Sequence, residues 1–214
     1  MNENQWPVAK EGLPFLVPSL LLTIGVTLIG WMALAVLGIL LTLFIAFFFR
    51  NPKREVPDLK NIILSPADGK VIYVGEAQEE RFLKERALKI SIFMSLLDVH
   101  INRSPATGKV AERSYHPGRF FVASAEKASL DNEQNALVLE MEDQSKILVV
   151  QIAGFIARRI VCYAEAGDRL KMGETFGLIR FGSRVDLYLP VNVKPTVRVG
   201  QHVKGGESIV GYRV

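Results

Sequence analysis

Apolar residues are distributed along this chain in two different ways. From Gly12 to Phe49 no Asp, Glu, Lys, Arg or His interrupts the sequence. Beyond Pro57 the apolar residues come instead in short runs separated by Gly, Pro, Asp and Asn. About 20 uncharged residues already cross a bilayer as a helix, because a rise of ~1.5 Å per residue has to match a hydrocarbon core of ~30 Å. A helix apolar on every face is buried in a large core or in lipid, and the rest of this chain is too short to hide one of this length. A secretory signal has a shorter apolar region and a small-residue cleavage site, whereas this segment ends in Phe47-Phe-Phe-Arg50. Residues 1–50 are therefore expected to be a retained membrane anchor. It crosses either as one tilted helix or as two short helices turning near Gly30-Trp31.

The second pattern predicts strands. Ile62-Ile-Leu64, Val71-Ile-Tyr-Val74, Leu88-Lys-Ile-Ser-Ile-Phe93, Ala136-Leu-Val-Leu-Glu-Met141 and Ile147-Leu-Val-Val-Gln-Ile152 are β-rich runs bounded by turn residues. Val185-Asp-Leu-Tyr-Leu189 alternates with period two, as a half-buried strand does. Short helices are expected only around Ala77–Arg86 and Ala153–Ala157. Residues 51–214 should thus form one mainly β domain, barrel- or sandwich-like, within an α+β class whose few helices are short.

Two internal echoes refine this expectation. Ser65-Pro-Ala-Asp-Gly-Lys-Val71 recurs as Ser104-Pro-Ala-Thr-Gly-Lys-Val110, and Gly167-Asp-Arg-Leu-Lys-Met-Gly-Glu174 recurs as Gly200-Gln-His-Val-Lys-Gly-Gly-Glu207. Repeated turn-plus-strand units predict a pseudo-symmetric β structure with equivalent turns in equivalent places. The repeats also act as an internal control. Asp68 departs from its counterpart Thr107, so the turn alone did not require a carboxylate there. It is either a turn cap or a functional acid.

Charge and cysteine add modest constraints. The formal net charge of the 214 residues is +4. Arg50, Lys53 and Arg54 abut the apolar segment, which places that side in the cytoplasm by the positive-inside rule. Clusters at Arg81–Arg86 and Arg158-Arg159 are either solvated surface or contacts for anionic headgroups. No aromatic-interleaved basic stripe points to nucleic acid. The single thiol, Cys162, can form no internal disulfide and reads as a small core residue.

Three histidines carry the candidate acid–base chemistry. His202 lies in the second Gly-x-x-Val-Lys repeat, where its counterpart is Arg169, and reads as a surface turn residue. His116, in Tyr115-His-Pro-Gly118, is either a surface group or a secondary acid or base. His100 follows an apolar strand, with Asp98, Asn102 and Arg103 beside it.

One further segment, Phe176-Gly-Leu-Ile-Arg-Phe-Gly-Ser-Arg-Val185, joins these to a family. Together with Ser-Pro-Ala-Asp-Gly, Asp98-Val-His100, Tyr115-His-Pro-Gly-Arg-Phe120 and Asn132-Glu-Gln-Asn-Ala136, in that chain order, it resembles the phosphatidylserine decarboxylase proenzymes. The likeness runs from about Pro52 to the C-terminus and is closest to their short, membrane-anchored branch. The resemblance implies self-cleavage between Gly182 and Ser183, giving a β chain of residues 1–182 and an α chain of residues 183–214. Ser183 would be the nucleophile and become a pyruvoyl group, with no separate organic cofactor and no metal. That group would form a Schiff base with phosphatidylserine and release CO2 to leave phosphatidylethanolamine. His100 would serve as general base and proton donor, oriented by Asp68. Longer relatives carry a second histidine three residues on, where this chain has Arg103, so either His100 serves both steps or His116 supplies the other imidazole. The implied partners are membrane phosphatidylserine and the paired α and β chains, with a higher oligomer left open. The implied location is the cell membrane, the catalytic domain facing the cytoplasm.

Three rival readings have their own marks. An anchored biotinyl- or lipoyl-like carrier or adaptor would need a lysine at a hairpin tip, and Lys171 beside Met172 is the residue in question. A pyruvoyl enzyme for a soluble amino acid would gain nothing from the apolar segment. A serine protease would share Ser, His and Asp, but the Gly-x-Ser-x-Gly elbow is absent from the sequence.

Overall fold

The computed structural model describes residues 6–118, 132–154, 159–180 and 182–213. The chain divides into two compact units, residues 1–53 and 54–214.

The first unit is a helical hairpin. A short 3-10 turn (Lys10–Gly12) leads into α1 (Leu13–Leu28), and α2 (Met32–Phe48) returns. The reversal falls at Gly30, whose φ of 85° only glycine adopts freely, and at Trp31. At the open end Ala9 N donates to Phe49 O at 2.8 Å and Asn51 N to Pro7 O at 2.7 Å. Between the helices Thr42 Oγ1 donates to Ser19 Oγ at 3.2 Å. Gly38 allows close approach, since a Cβ there would come within 3.2 Å of the Thr23 side chain. Small and hydroxyl residues at the contact, with apolar side chains outside, form the packing pattern of helices in lipid. Leu22, Leu28 and Leu37 are 70%, 82% and 62% exposed. Each helix is about 24–26 Å long at ~1.5 Å per residue, slightly under the ~30 Å hydrocarbon core.

The second unit is mainly β, as the patterning predicts. Its strands are β1 (Ile62–Leu64), β2 (Gly69–Glu79), β3 (Glu85–Met94), β4 (Ile101–Arg103), β5 (Gly108–His116), β6 (Gln134–Glu140) and β7 (Lys146–Ile152). There follow β8 (Ile160–Cys162), β9 (Arg169–Leu170), β10 (Thr175–Ile179), β11 (Ser183–Pro190), β12 (Val193–Pro195), β13 (His202–Val203) and β14 (Ile209–Arg213). Among the described residues they form an antiparallel eight-stranded sheet, β13-β2-β3-β11-β7-β6-β5-β9, and two three-stranded sheets, β1-β14-β12 and β4-β10-β8. Ala77–Arg86, expected to be helical, is instead the hairpin between β2 and β3. Its tip is closed by Glu79, whose carboxylate accepts the amides of Phe82 and Leu83 at 2.8 and 2.6 Å. The charged, alternating tip imitated a helix because cross-strand pairs such as Arg86–Glu76 use the same side chains that a helix face would. The other expected helix, Ala153–Ala157, falls mostly outside the described residues.

The order of strands shows what the repeats meant. Strands β4–β10 form one half, and β1–β3 with β11–β14 form the other, so the second copy is inserted into the first between β3 and β11. The eight-stranded sheet reads symmetrically outward from the β11/β7 pair: β3 matches β6, β2 matches β5, and β13 matches β9. Hydrogen bonds repeat atom for atom. Gly200 N donates to Val71 O, and Gly167 N to Val110 O, both at 2.8 Å. Leu64 N donates to Pro105 O and Arg103 N to Pro66 O, both at 2.9 Å. Even the irregularities match, between Val71 and Tyr73 in β2 and between Val110 and Glu112 in β5. Register places the pseudo-twofold axis at the Leu187–Val149 pair.

The core lies on one face of the large sheet, where Ile92, Val110, Leu139, Ile147, Val149, Val185 and Leu187 pack together. The other face buries Ala136, Val138, Leu148, Val150 and Ile152 under Phe82 and Leu83. Burial on both faces explains why β6 and β7 read as unbroken apolar runs, not as alternation.

Candidate active site

The two seams where the chain passes between halves are residues 95–100, joining β3 to β4, and residues 180–182, joining β10 to β11. Both leave the same region of the domain. Ser183, the first residue of β11, pairs with Met94, the last of β3. Leu178 of β10 pairs with Ile101 of β4, and Ile179 N donates to His100 O at 3.2 Å. The fold therefore sets His100 at one crossing and Gly182-Ser183 at the other.

Ser183 is fully buried, and its hydroxyl donates to the Met94 sulfur at 3.5 Å. A thioether is a weak acceptor, so this contact orients the hydroxyl without activating it. Gly182 has φ 55°, and a Cβ there would meet no atom within 4 Å. Its counterpart by register in the other half is Gln144, also left-handed at φ 65°, ahead of Ser145. The turn itself thus accepts a side chain. What glycine adds at residue 182 is an unshielded carbonyl and freedom to leave the left-handed region.

His100 is 3% exposed, and its Nδ1 lies 3.0 Å from the Asp98 carbonyl oxygen. A carbonyl can only accept, so Nδ1 carries the proton in the neutral ring and Nε2 keeps its lone pair. The tautomer suits a base acting through Nε2.

Asp68 has a different first duty. Its carboxylate receives Arg54 Nη2 at 2.9 and 2.8 Å and Gly205 N at 2.8 Å. At the matching turn Thr107 Oγ1 receives Met172 N at 3.0 Å. Capping the turn is thus common to both halves, and the Arg54 pair is what the carboxylate adds. The Asp68 turn is tied to the strand that follows His100 through the bond from Arg103 N to Pro66 O. Burial pushes the Asp68 carboxyl up from its ordinary range, while Arg54 and the Gly205 amide pull it back and the nearby Asp98 charge pushes it up further. Arg54→Gln removes the main opposing charge, so the Asp68 pKa should climb further. A carboxyl with a raised folded pKa loses stability as pH rises through that range. The variant should therefore be nearly as stable as the parent at acid pH, where Asp68 is protonated folded and unfolded. At neutral pH it should be weaker by about 2 kcal/mol, as read by denaturant unfolding at several pH values.

Arg103, three residues after His100, is 2% exposed and donates from Nη1 to Gly173 O at 3.1 Å. Its stem lies against Gly206. It clamps the two repeated Gly turns, Gly173 and Gly206. His116 ends β5 and is exposed. It shares a cross-strand row with Gln134, Ile152 and Arg184, three strand spacings or about 14 Å from β11. The fold brings Ser183, Met94 and His100 to one region and leaves His116 at a distance. His202 is exposed opposite Lys70. Lys171 is exposed in the turn after β9.

Sequence reasoning missed a buried amide chain beneath Ser183. Asn102 Nδ2 approaches the same Met94 sulfur at 3.8 Å. Asn102 Oδ1 receives Gln151 Nε2 at 2.8 Å, Gln151 Oε1 receives Asn135 Nδ2 at 2.9 Å, and Asn135 Oδ1 receives Arg113 Nε at 3.2 Å. Gln151 breaking the run Val149-Val-Gln-Ile152 was the available signal. Gln151→Leu fits the volume but strands two buried amides, which costs about 2–4 kcal/mol. A fall in Tm of roughly 5–10 °C is expected, measured by thermal unfolding.

Known proteins match this sequence closely. Residues 41–211 fit the family model described as phosphatidylserine decarboxylase. A phosphatidylserine decarboxylase proenzyme of Geotalea uraniireducens is 50% identical over 99% of both chains. That of Syntrophotalea carbinolica is 51% identical over 99% of this chain and 98% of its own. That of Syntrophus aciditrophicus is 46% identical over 95% and 96%. This likeness over nearly the whole length places the chain in the phosphatidylserine decarboxylase family.

Proposed function

We propose that this chain is a membrane-anchored proenzyme that cuts itself between Gly182 and Ser183 and then decarboxylates phosphatidylserine to phosphatidylethanolamine. The observation that carries the reading is Ser183: a fully buried serine behind a left-handed glycine, paired with Met94 at the start of the connection that leads to His100.

The cut follows from what these residues can do. His100 Nε2 takes the Ser183 hydroxyl proton, and the oxygen adds to the Gly182 carbonyl. The amide nitrogen leaves, protonated, and an ester joins Gly182 to Ser183. Loss of the Ser183 α-proton expels residues 1–182 as a carboxylate. The dehydroalanine left behind tautomerises, and water removes its nitrogen as ammonia. The resulting pyruvoyl group would supply a ketone able to bind the substrate amine and to act as the sink for the electron pair left by CO2. The site fits such a group: it would head β11, beside Met94, where the structure already buries the serine from which it forms. His100 would then return a proton to the decarboxylated carbon. Asp68 holds the turn tied to β4, the strand that follows His100. The α chain (183–214) and β chain (1–182) remain joined, since β11 pairs with both β3 and β7.

The helical hairpin is read as the anchor, in a cell membrane, with the β domain on the cytoplasmic side. The hairpin puts Lys10 and Arg50 at the same end, which agrees with basic residues on one side. Intact mass measurement of the purified wild-type chain should show two pieces divided at Gly182, the smaller beginning with pyruvoyl in place of Ser183. Liposomes should release CO2 from phosphatidylserine and not from free serine. One uncut species with Ser183 unmodified would end the proposal.

A further inference from the structure

The connection between β3 and β4 is built in an unusual way. Ser95 and Asp98 close it as a tight turn: Ser95 N and Oγ both donate to Asp98 Oδ2, at 2.8 and 2.6 Å, and Asp98 N donates to Ser95 O at 3.1 Å. The two residues carried at its tip are Leu96 and Leu97, 39% and 67% exposed. Turn tips ordinarily hold Gly, Pro, Asn or Asp, whose backbones or side chains favour the reversal. Leucine offers neither and forgoes burial. Among the described residues after Lys53, this is the one consecutive pair of exposed large apolar side chains. Single exposed apolar residues call for no explanation, but a grouped pair at a site does. Local rules broken beside a functional site usually serve the function.

The position of the pair is equally telling. One stem of the turn is Met94, the pairing partner of Ser183, and the other leads within three residues to His100. Along the adjoining end of the sheet β4-β10-β8, Ile179 N is bonded to His100 O and Arg180 N to Arg159 O, both at 3.2 Å. Arg159 is exposed. Asp98 turns its carboxylate back onto Ser95, where it adds least repulsion toward an anionic surface. An apolar tip with basic residues at the same end is the composition of an interfacial membrane contact. The other basic cluster, at Arg81–Arg86, sits at the far end of β3, about 30 Å away at ~3.3 Å per residue, so the two ends compete for the bilayer.

We propose that the Ser95–Asp98 turn docks on the lipid bilayer, with Leu96 and Leu97 entering the interface and Arg159 meeting anionic headgroups beside them. This rests on the decarboxylase reading, since docking there would bring a serine headgroup to Ser183 and His100 while its acyl chains stay in the bilayer. Inserting the tip shortens the distance a headgroup has to rise.

The test uses the full chain in nanodiscs. A Leu96→Ser/Leu97→Ser variant should cut itself as the parent does and decarboxylate a short-chain phosphatidylserine, dissolved below its micellar concentration, at the parental rate. With long-chain phosphatidylserine diluted in phosphatidylcholine, its kcat/KM should fall about tenfold or more, mainly through KM. Separately, Leu97→Trp in a Trp6→Phe/Trp31→Phe background should emit at shorter wavelength in nanodiscs than in detergent-free denaturant, and be quenched by brominated phosphatidylcholine. Equal loss on both substrates, no loss on either, or an unquenched tryptophan overturns the docking proposal. If the wild-type chain neither cuts nor releases CO2, the decarboxylase reading fails while the quenching arm still reports on docking.

Discussion

Ser183→Ala should remain one uncut chain of 214 residues, folded as the parent and without measurable decarboxylase activity. The loss follows from chemistry, not from stability. Among the described residues the Ser183 hydroxyl bonds only to the Met94 sulfur, at 3.5 Å, and a thioether acceptor contributes little. Replacing it by a methyl hydrogen costs less than about 1 kcal/mol, and β11 keeps its full ladder to β3 and β7. Yet no other atom can attack the Gly182 carbonyl and also become the ketone. Rate loss in both steps should exceed about 10⁴-fold, the scale for removing a nucleophile. Intact mass gives the first readout and CO2 release the second. Cleavage of the variant at residue 182 would move the nucleophile elsewhere, and an unfolded variant would contradict the packing described around Met94.

How much of this was legible in the sequence depended on the range of the interaction. The apolar segment and the strands were visible because burial writes itself locally: Ile147–Ile152 and Val185–Leu189 each carry their own period. The repeats were visible as repeats. Their meaning was not, because insertion of one half into the other is set by which strands pair, and Val185 meeting Ile92 and Gln151 is information separated by many residues. The hairpin at Ala77–Arg86 reads as a helix for the same reason, since its stability lies in cross-strand pairs and in Glu79 capping its tip.

The site divides along the same line. Gly182-Ser183 and His100 stood out through motifs, but the sequence could not show that both lie at seams between the halves. Asp68 illustrates the limit best. Comparison with Thr107 raised both a capping and a catalytic role, and the structure shows the cap in both halves. Its surplus is Arg54, a partner far enough in sequence to escape motif reading. A duplicated scaffold gives each half the same turns. Chemistry then accumulates where the copies differ and where the chain crosses between them.

His100 is the sharper test of that idea. His100→Ala should fold and cut itself slowly, by about 10²–10⁴-fold, the range for removing a positioned base. The tautomer fixed by the Asp98 carbonyl leaves Nε2 as the basic atom, so His100→Gln, which keeps bulk and a donor but no base, should be equally slow. Added imidazole should restore part of the cleavage in His100→Gly, where the vacated volume can receive it. His116→Ala should cut at the parental rate, because His116 is exposed and three strand spacings from β11 along its row of the sheet. If instead His116→Ala stalls and His100→Ala does not, the base has been assigned to the wrong seam. Once cut, a chain carrying His100→Ala should still release CO2 more slowly than the parent, since the same Nε2 would return the proton to carbon. Normal turnover in that cleaved fraction would confine His100 to processing alone.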